Sequence, residues 1–254
     1  MPEVIINGPA GRIEGKYHQS TNTKAPVALV LHPHPLHGGT MNNKATYAIY
    51  KAFVNNGFSV LRVNSRGVGK SQGKFDSGVG ELLDATAVMN WLHDQNMEAS
   101  DYWVAGFSFG AWIALQLVMR RPEIENYILA APPVGKYDFN FIVPCTSSGF
   151  VVQGDKDDIS KESDSAKLVE KLSARDGAEI TYKVVSQADH FFKDHFEEFE
   201  AHLDNYIKSR LLIDSGKVRK VKRDRRRRRK KKNVAEAKPE RNYQPVKSLS
   251  SFES

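Results

Sequence analysis

The sequence contains a single cysteine, Cys145, so it can form no disulfide bond within the chain. Because disulfides persist in oxidising compartments, we expect a protein of the reducing cytoplasm. The residues after Met1 also lack the basic and then apolar pattern of a secretory signal. No apolar run approaches the roughly 18 residues that a membrane-spanning helix needs. The sequence therefore predicts a soluble, cytoplasmic protein.

The net charge of +7 has two sources of opposite sign. Lys217 to Lys232 holds 13 basic residues and one acidic residue, a net charge of +12, so the other residues together carry −5. Apolar periodicity ends near Ile213. We therefore predict a folded domain over residues 1–212 and a basic, disordered tail over residues 213–254.

A tail of this charge predicts contacts with the phosphate groups of nucleic acid or of an anionic membrane. Such binding would be strong, salt-dependent and insensitive to sequence. A solubilising extension is the simpler interpretation of the same residues. If the tail carries the function, the protein is a non-enzymatic binding protein in which the folded domain is a scaffold, and this is the alternative to the enzyme described next.

From Val27 onward, apolar runs of strand length alternate with amphipathic segments of helix length. The continuous apolar run Val27 to Leu31 is typical of a strand that is buried on both faces of a parallel sheet. We therefore predict an α/β fold with a mostly parallel central sheet and helices on both faces. About eighteen residues separate the strand ending near Ala130 from the one starting near Gly149. This leaves no room for a large lid domain, although Pro132 to Pro144 could form a short helix over the site.

The pentapeptide Gly106 to Gly110, GFSFG, has the form G-x-S-x-G. It follows a strand-like run that begins at Tyr102 and precedes an apolar, helix-length segment. A strand, a tight turn and a helix form the context of a nucleophile elbow, in which a side chain at either glycine would collide with its neighbours. Ser108 is the predicted nucleophile. The N–H of Phe109, at the start of the helix, is predicted to bind an oxyanion.

A serine hydroxyl needs a positioned base, and that base is oriented by a carboxylate. His190 is the predicted base, because it lies after the last predicted strand, at the sheet edge where ligands bind in this kind of fold. His195 and His202 are interpreted as surface or packing residues of the closing helix.

Three carboxylates compete for the role of the acid, namely Asp155, Asp157 and Asp158. Asp157 is the preferred residue and Asp155 is the alternative. Either would give the chain order serine, acid, histidine that α/β-hydrolases have.

The segment His32 to His37 follows the first long strand and contains three histidines. His32, His34 and His37 could contact one metal ion, but no cysteine and no pattern of carboxylates supports such a site. We therefore expect neither a metal ion nor a cofactor. In this fold the loop after that strand supplies the second oxyanion donor. Since Pro33 and Pro35 have no N–H, His34 is the predicted donor, and Leu36 is the second choice.

These residues, in this order, resemble the α/β-hydrolase superfamily. More narrowly, five motifs together are similar to a compact, largely uncharacterised bacterial hydrolase family related to the dienelactone-hydrolase and serine-peptidase-like branches. The motifs are LHPHPLHGGTMNNK (Leu31–Lys44), RGVGKS (Arg66–Ser71), FDSGVGE (Phe75–Glu81), GFSFG (Gly106–Gly110) and ADHFF (Ala188–Phe192). The resemblance covers about residues 1–212.

The resemblance implies that Ser108 is the nucleophile, Asp157 the acid and His190 the base. Ser65 and Ser160 depart from the family pattern, which usually has an aromatic residue and a proline or valine at these places. The sequence therefore predicts a serine hydrolase that cleaves a carboxylic ester, a thioester or an amide of a small acyl substrate. An apolar acyl pocket is expected from five side chains: Leu36, Phe107, Phe109, Tyr137 and Phe139.

Overall fold

The computed structural model describes residues 2–142, 146–174, 178–213 and 216. By their packing the residues divide into two compact units, Met1–Ser209 and Arg210–Ser254. The first unit holds the sheet and the site described below. The basic segment Lys217 to Lys232 lies outside the described residues. The predictions about this segment and about a domain boundary at residue 212 therefore stay predictions.

Eight strands and five helices account for most of the described chain. The strands are β1 (Glu3–Gly8), β2 (Gly11–His18), β3 (Val27–Leu31), β4 (Ser59–Val63), β5 (Tyr102–Phe107), β6 (Ile124–Ala130), β7 (Ser148–Gly154) and β8 (Ile180–Val185). The helices are α1 (Lys44–Asn55), α2 (Val79–Gln95), α3 (Phe109–Val118), α4 (Glu162–Ser173) and α5 (196–213). None of the described helices combines the length and the apolar character that crossing a membrane requires.

All eight strands form one sheet in the order β1-β2-β4-β3-β5-β6-β7-β8. The pairs β1–β2 and β2–β4 are antiparallel, and every other neighbouring pair is parallel. The predicted α/β fold with a mostly parallel sheet is therefore confirmed. Because β3 to β8 run in one direction, the loops that follow them leave from the same edge of the sheet, which is where α/β proteins bind ligands.

The strand β5, which precedes the elbow, lies in the centre of the core. Every residue of β3 beside it is buried, as the continuous apolar run predicts. On one face, the Trp103 ring contacts the rings of Phe53 and Phe58 edge-on, with centroids 5.6 and 5.3 Å apart. The helix α3, which follows the elbow in the chain, is apolar around almost its whole circumference, which is typical of a helix surrounded by protein. The elbow therefore connects two rigid, buried elements.

The connection between β6 and β7 contains no helix in its described part, residues 131–142, 146 and 147. The prediction of a short helix at Pro132 to Pro144 is wrong over these residues. Two consecutive prolines begin the segment, and Gly135 has a φ of +88°, which a right-handed helix does not allow. Turns form instead, and the indole N–H of Trp112 holds them by donating to the Asp138 carbonyl at 2.8 Å. The described part of this connection is too short for a lid domain.

Candidate active site

The turn that carries Ser108 has a backbone conformation that few residues adopt. Ser108 has φ +55° and ψ −121°. A Cβ added at Gly106 would lie 2.2 Å from the carbonyl carbon of Gly110, and one added at Gly110 would lie 2.4 Å from the Leu31 carbonyl oxygen. Both contacts are with backbone, which cannot rotate away. The close packing of strand and helix therefore requires glycine on both sides of the serine, as the pentapeptide predicts.

Replacing Gly110 with alanine is expected to lower the free energy of unfolding by about 3 kcal/mol or more, because the new methyl group overlaps backbone. Gly57→Ala is the matched control. Gly57 also needs a special conformation (φ +85°), but no atom lies within 4 Å of an added Cβ. Its replacement should cost only about 1 kcal/mol. Urea denaturation measures both values, and equal losses would contradict the steric argument.

The structure brings the side chains of Ser108, His190 and Asp157 together from three separate loops. The Nε2 atom of His190 lies 2.9 Å from the Ser108 Oγ, and its Nδ1 lies 2.6 Å from Asp157 Oδ2. Because a carboxylate oxygen can only accept, Nδ1 carries the hydrogen and Nε2 is free to accept the hydroxyl hydrogen. All three residues are at least nine-tenths buried. The arrangement can transfer a proton from the hydroxyl to the imidazole.

The carboxylate of Asp157 accepts hydrogen bonds on both oxygens. Oδ1 accepts from the N–H groups of Ile159 and Ser160, both at 2.8 Å, and Oδ2 accepts from His190 and from Gln153 Nε2 at 2.7 Å. Burial by itself raises the pKa of Asp157. The bond and charge of His190 and the two backbone N–H groups outweigh burial and hold this pKa below its ordinary value. Asp157 is therefore an ionised partner for the imidazole.

Sequence reasoning missed Gln153, a fully buried residue of β7. Its Nε2 donates to Asp157 Oδ2 and, at 3.0 Å, to the Ser160 carbonyl, while its Oε1 accepts from the Ser165 hydroxyl at 3.0 Å. These three bonds fix the orientation of the amide. The available signal was a glutamine directly after the apolar run GFVV and two residues before the first aspartate of the acidic loop.

The other two candidate acids lie elsewhere. Asp155 is exposed, and its Oδ1 accepts the N–H of Gln187 at 2.6 Å, so it holds the start of the loop that carries His190. Asp158 is exposed and lines the rim of the cleft. Only Asp157 among the three contacts the imidazole in the described structure. Ser160 has a part in this loop as well, because its hydroxyl donates to the Pro132 carbonyl at 2.9 Å and ties the acid loop to the β6–β7 connection.

The two predicted oxyanion donors, Phe109 and His34, line the same cleft as Ser108. Phe109 is the first residue of α3, so its N–H has no acceptor within the helix. Within the part of the chain that the structure describes, the N–H of His34 also donates to no protein acceptor. Both groups are therefore available to a bound oxygen atom.

The cleft beside Ser108 has a volume of about 580 Å³. Phe109 and Tyr137 line it, as predicted for the acyl pocket. The other three predicted pocket residues do not: Phe107 is buried and packs on the His190 ring at 5.3 Å, Phe139 is buried elsewhere, and Leu36 is 69% exposed. The lining also includes residues that sequence reasoning did not assign to the pocket. These are Asn43, Pro133, Lys136, Ile159 and Phe191, which lie on the loops that follow the strands.

The three histidines of the His32 to His37 segment are engaged with protein. His32 Nδ1 lies 2.6 Å from the Pro33 carbonyl oxygen, and its Nε2 accepts the Ser65 N–H at 2.9 Å. His34 Nδ1 accepts the Leu36 N–H at 3.2 Å, and its ring stacks on His37 with centroids 4.3 Å apart. Over the described ranges, no three His, Cys, Asp or Glu side chains form a group that could hold a metal ion.

Acid is expected to destabilise the protein through His32. Burial lowers the pKa of His32 from 6.5 to about 4. Above pH 6.5 the ring is neutral in both the folded and the unfolded chain. Below it the unfolded chain binds the proton first, so the free energy of unfolding falls between pH 6.5 and 4, by about 3 kcal/mol in all. Urea denaturation across this range measures the loss. His32→Asn, which cannot titrate, should show a correspondingly weaker pH dependence, and an unchanged slope would contradict the assignment.

Three features together define the α/β-hydrolase class. They are a mostly parallel sheet in which β2 runs antiparallel to both of its neighbours, an elbow between strand and helix, and the order serine, acid, histidine along the chain. Comparison with known proteins leads to the same class. Residues 17–144 match the family model described as X-Pro dipeptidyl-peptidase (S15 family). An uncharacterised protein of Rickettsia prowazekii is 53% identical over 211 residues, which cover 82% of this chain and 89% of the relative.

Two solved structures are similar over nearly their whole length. One is a protein of unknown function from Agrobacterium tumefaciens, proposed to be an α/β hydrolase, with 47% identity and a TM-score of 0.81 over 83% of this chain and 97% of that chain. The other is an α/β serine hydrolase homologue from Coxiella burnetii, with 35% identity and a TM-score of 0.74 over 81% and 96% of the two chains. The chain therefore belongs to the S15 family of α/β serine hydrolases, in agreement with the resemblance seen in its motifs.

Proposed function

We propose that this protein is an esterase or thioesterase that cleaves the acyl bond of a small substrate through an acyl-enzyme, with amides as a further substrate class. The observation that carries the proposal is the continuous hydrogen-bonded series from Ser108 through His190 to Asp157. A buried hydroxyl with this base beside it, in a cleft open to solvent, has the arrangement that acyl transfer needs.

In the proposed reaction the Ser108 oxygen attacks the substrate carbonyl carbon while His190 Nε2 accepts the hydroxyl proton. The carbonyl oxygen becomes an oxyanion and receives hydrogen bonds from the N–H groups of Phe109 and His34. Collapse of this intermediate breaks the bond to the alcohol or thiol, which leaves with the proton from His190. Water then repeats the sequence on the acyl-enzyme and releases the acid. Asp157 orients the imidazole and stabilises its charged form throughout.

The cleft supports a small acyl substrate. Its volume of about 580 Å³ is within the range of small-molecule sites, and apolar side chains supply most of its surface. The connection after β6 adds turns and no lid over the described residues. We also propose a cytoplasmic location, since the single cysteine allows no disulfide bond within the chain.

A fluorophosphonate probe tests the nucleophile directly. We expect the full-length protein to be labelled once, on Ser108, as read by mass spectrometry of the modified peptide. Ser186→Ala is the matched control, because Ser186 is an exposed serine near the same edge of the sheet and should not affect labelling. An unlabelled wild-type protein, or equal labelling of Ser108→Ala, would overturn the proposal.

A panel of p-nitrophenyl esters with acyl chains of graded length then defines the substrate. We expect kcat/KM to be highest for short chains and to fall when the chain exceeds the cleft. Matched thioesters and anilides of the best acyl group distinguish the three bond types. If no member of the panel is turned over while the probe labels Ser108, the substrate is of another acyl class.

A second proposal concerns the segment Lys217 to Lys232, whose net charge of +12 favours binding to phosphate groups of nucleic acid or anionic lipid. Replacement of the five arginines Arg225 to Arg229 by glutamine in the full chain should weaken binding to RNA, to DNA or to phosphatidylserine vesicles, and reduce its salt dependence. Ester hydrolysis should be unaffected. Equal binding by both proteins would refute a role for this segment.

A further inference from the structure

His32 immediately follows β3 and is 1% exposed, yet both of its ring nitrogens have a partner. The backbone N–H of Ser65 can only donate, so Nε2 is the acceptor. The carbonyl oxygen of Pro33 can only accept, so Nδ1 carries the hydrogen. These two bonds select one neutral tautomer, with a donor at Nδ1. The ring therefore connects the loop after β4 to the loop after β3.

The oxygen that accepts from His32 belongs to the peptide group whose N–H is that of His34. A trans peptide is planar, and its C=O and N–H point in opposite directions. A bond that fixes the Pro33 oxygen therefore also fixes the direction of the His34 N–H. Gly39 encloses the same oxygen, because a Cβ at residue 39 would lie 2.1 Å from it. Among the described residues, His32 is the one that donates a hydrogen bond to the Pro33 oxygen.

We propose that His32 is a positioning residue for oxyanion binding: its bond to the Pro33 oxygen aims the N–H of His34 at the oxygen of the bound substrate. The inference rests on the proposed hydrolase function. A donor on a carbonyl oxygen also polarises the peptide and strengthens its N–H as a donor. His32 is absent from the described lining of the cleft, so it acts through the peptide and not on the substrate.

Two substitutions separate the two bonds of the imidazole. In His32→Asn the side-chain amide nitrogen takes the place of Nδ1 and can still donate to the Pro33 oxygen, while the bond from Ser65 is lost. In His32→Gln the longer side chain brings its amide oxygen to the place of Nε2, so the bond from Ser65 is kept and the donor to Pro33 is lost. A purely structural bridge between the loops would make both variants equally defective.

Steady-state ester hydrolysis by the full-length variants is the test. We expect His32→Gln to lose about 10²-fold in kcat with little change in KM, since an oxyanion donor acts mainly in the transition state. His32→Asn should keep kcat within about threefold of wild type. The affinity for a trifluoromethyl ketone, which forms a tetrahedral adduct, should fall with kcat in His32→Gln, and thermal unfolding of each variant reports folding.

Each outcome has a distinct meaning. If wild type is labelled at Ser108 and His32→Gln retains its kcat, or if both folded variants lose activity equally, this inference fails and the hydrolase proposal survives. If wild type reacts with no probe or ester, the hydrolase proposal fails and this inference with it. Should His32→Gln not fold, His32→Asn decides alone: near-normal kcat supports the role, and a loss of tenfold or more overturns it.

Discussion

Ser108→Ala is expected to reduce kcat for ester hydrolysis by about 10⁶-fold, the loss that removal of the serine causes in hydrolases of this type. The Oγ of Ser108 is the group that would form the new bond, and alanine has no atom to replace it. Because the backbone of the elbow is fixed by its glycines, alanine should leave the fold intact. Burst and steady-state measurements with the best p-nitrophenyl ester give the value, and an unchanged thermal unfolding curve shows that the loss is chemical.

The double variant Ser108→Ala, Asp157→Asn sharpens this result. If the two residues act as one unit, the double variant should be no slower than Ser108→Ala, since the acid has no role without the nucleophile. Additive losses would mean that Asp157 contributes in some other way, for example by stabilising the fold of its loop.

Asp157→Asn alone is expected to reduce kcat by about 10⁴-fold with a much smaller effect on KM. The amide cannot fix the tautomer in which His190 Nδ1 carries the hydrogen. Asp155→Asn is the matched control, because it changes the same chemical group two residues away. Its carboxylate caps the N–H of Gln187 and does not contact the imidazole, so we expect less than a tenfold effect.

The pH dependence of stability is a second measurement that distinguishes Asp157→Asn from Asp155→Asn. The pKa of the Asp157 carboxylate lies below its ordinary value, so its contribution to stability is present above about pH 4 and is lost as the pH falls further. This dependence should disappear in Asp157→Asn and persist in Asp155→Asn. A large loss of kcat in Asp155→Asn, with Asp157→Asn near wild type, would exchange the roles of the two residues.

Much of the fold follows from local sequence. The apolar run of β3 is long enough for one strand and buried throughout, and the glycines that flank Ser108 specify a turn that few other residues permit. The order of motifs then places each loop at one edge of the sheet, because parallel strands leave no alternative. The buried strand and the turn each depend on residues that are close together in the chain, and for that reason the sequence predicts them.

The orientation of side chains on loops is decided by more distant contacts. Three carboxylates compete within four positions, and the structure turns Asp157 inward because its Oδ1 closes a turn onto the N–H groups of Ile159 and Ser160. No pattern in the sequence distinguishes a turn closed by Asp157 from one closed by Asp155, two residues earlier. The partner Gln153 was missed for the same reason, since its neighbours are apolar and its hydrogen bonds are to residues of two later elements.

The way in which the elbow is held between β5 and α3 affects how the substrate selectivity of this enzyme can be engineered. The position of Ser108 is fixed by the close packing of main-chain atoms at Gly106 and Gly110. This packing does not depend on which side chains surround the serine. The cleft, in contrast, is lined by residues such as Lys136, Ile159 and Phe191, which are anchored on separate connections between elements. Substitutions in one connection can therefore change the substrate selectivity independently of the other connections. Ser108 keeps its position in such variants, and we expect them to keep its reactivity.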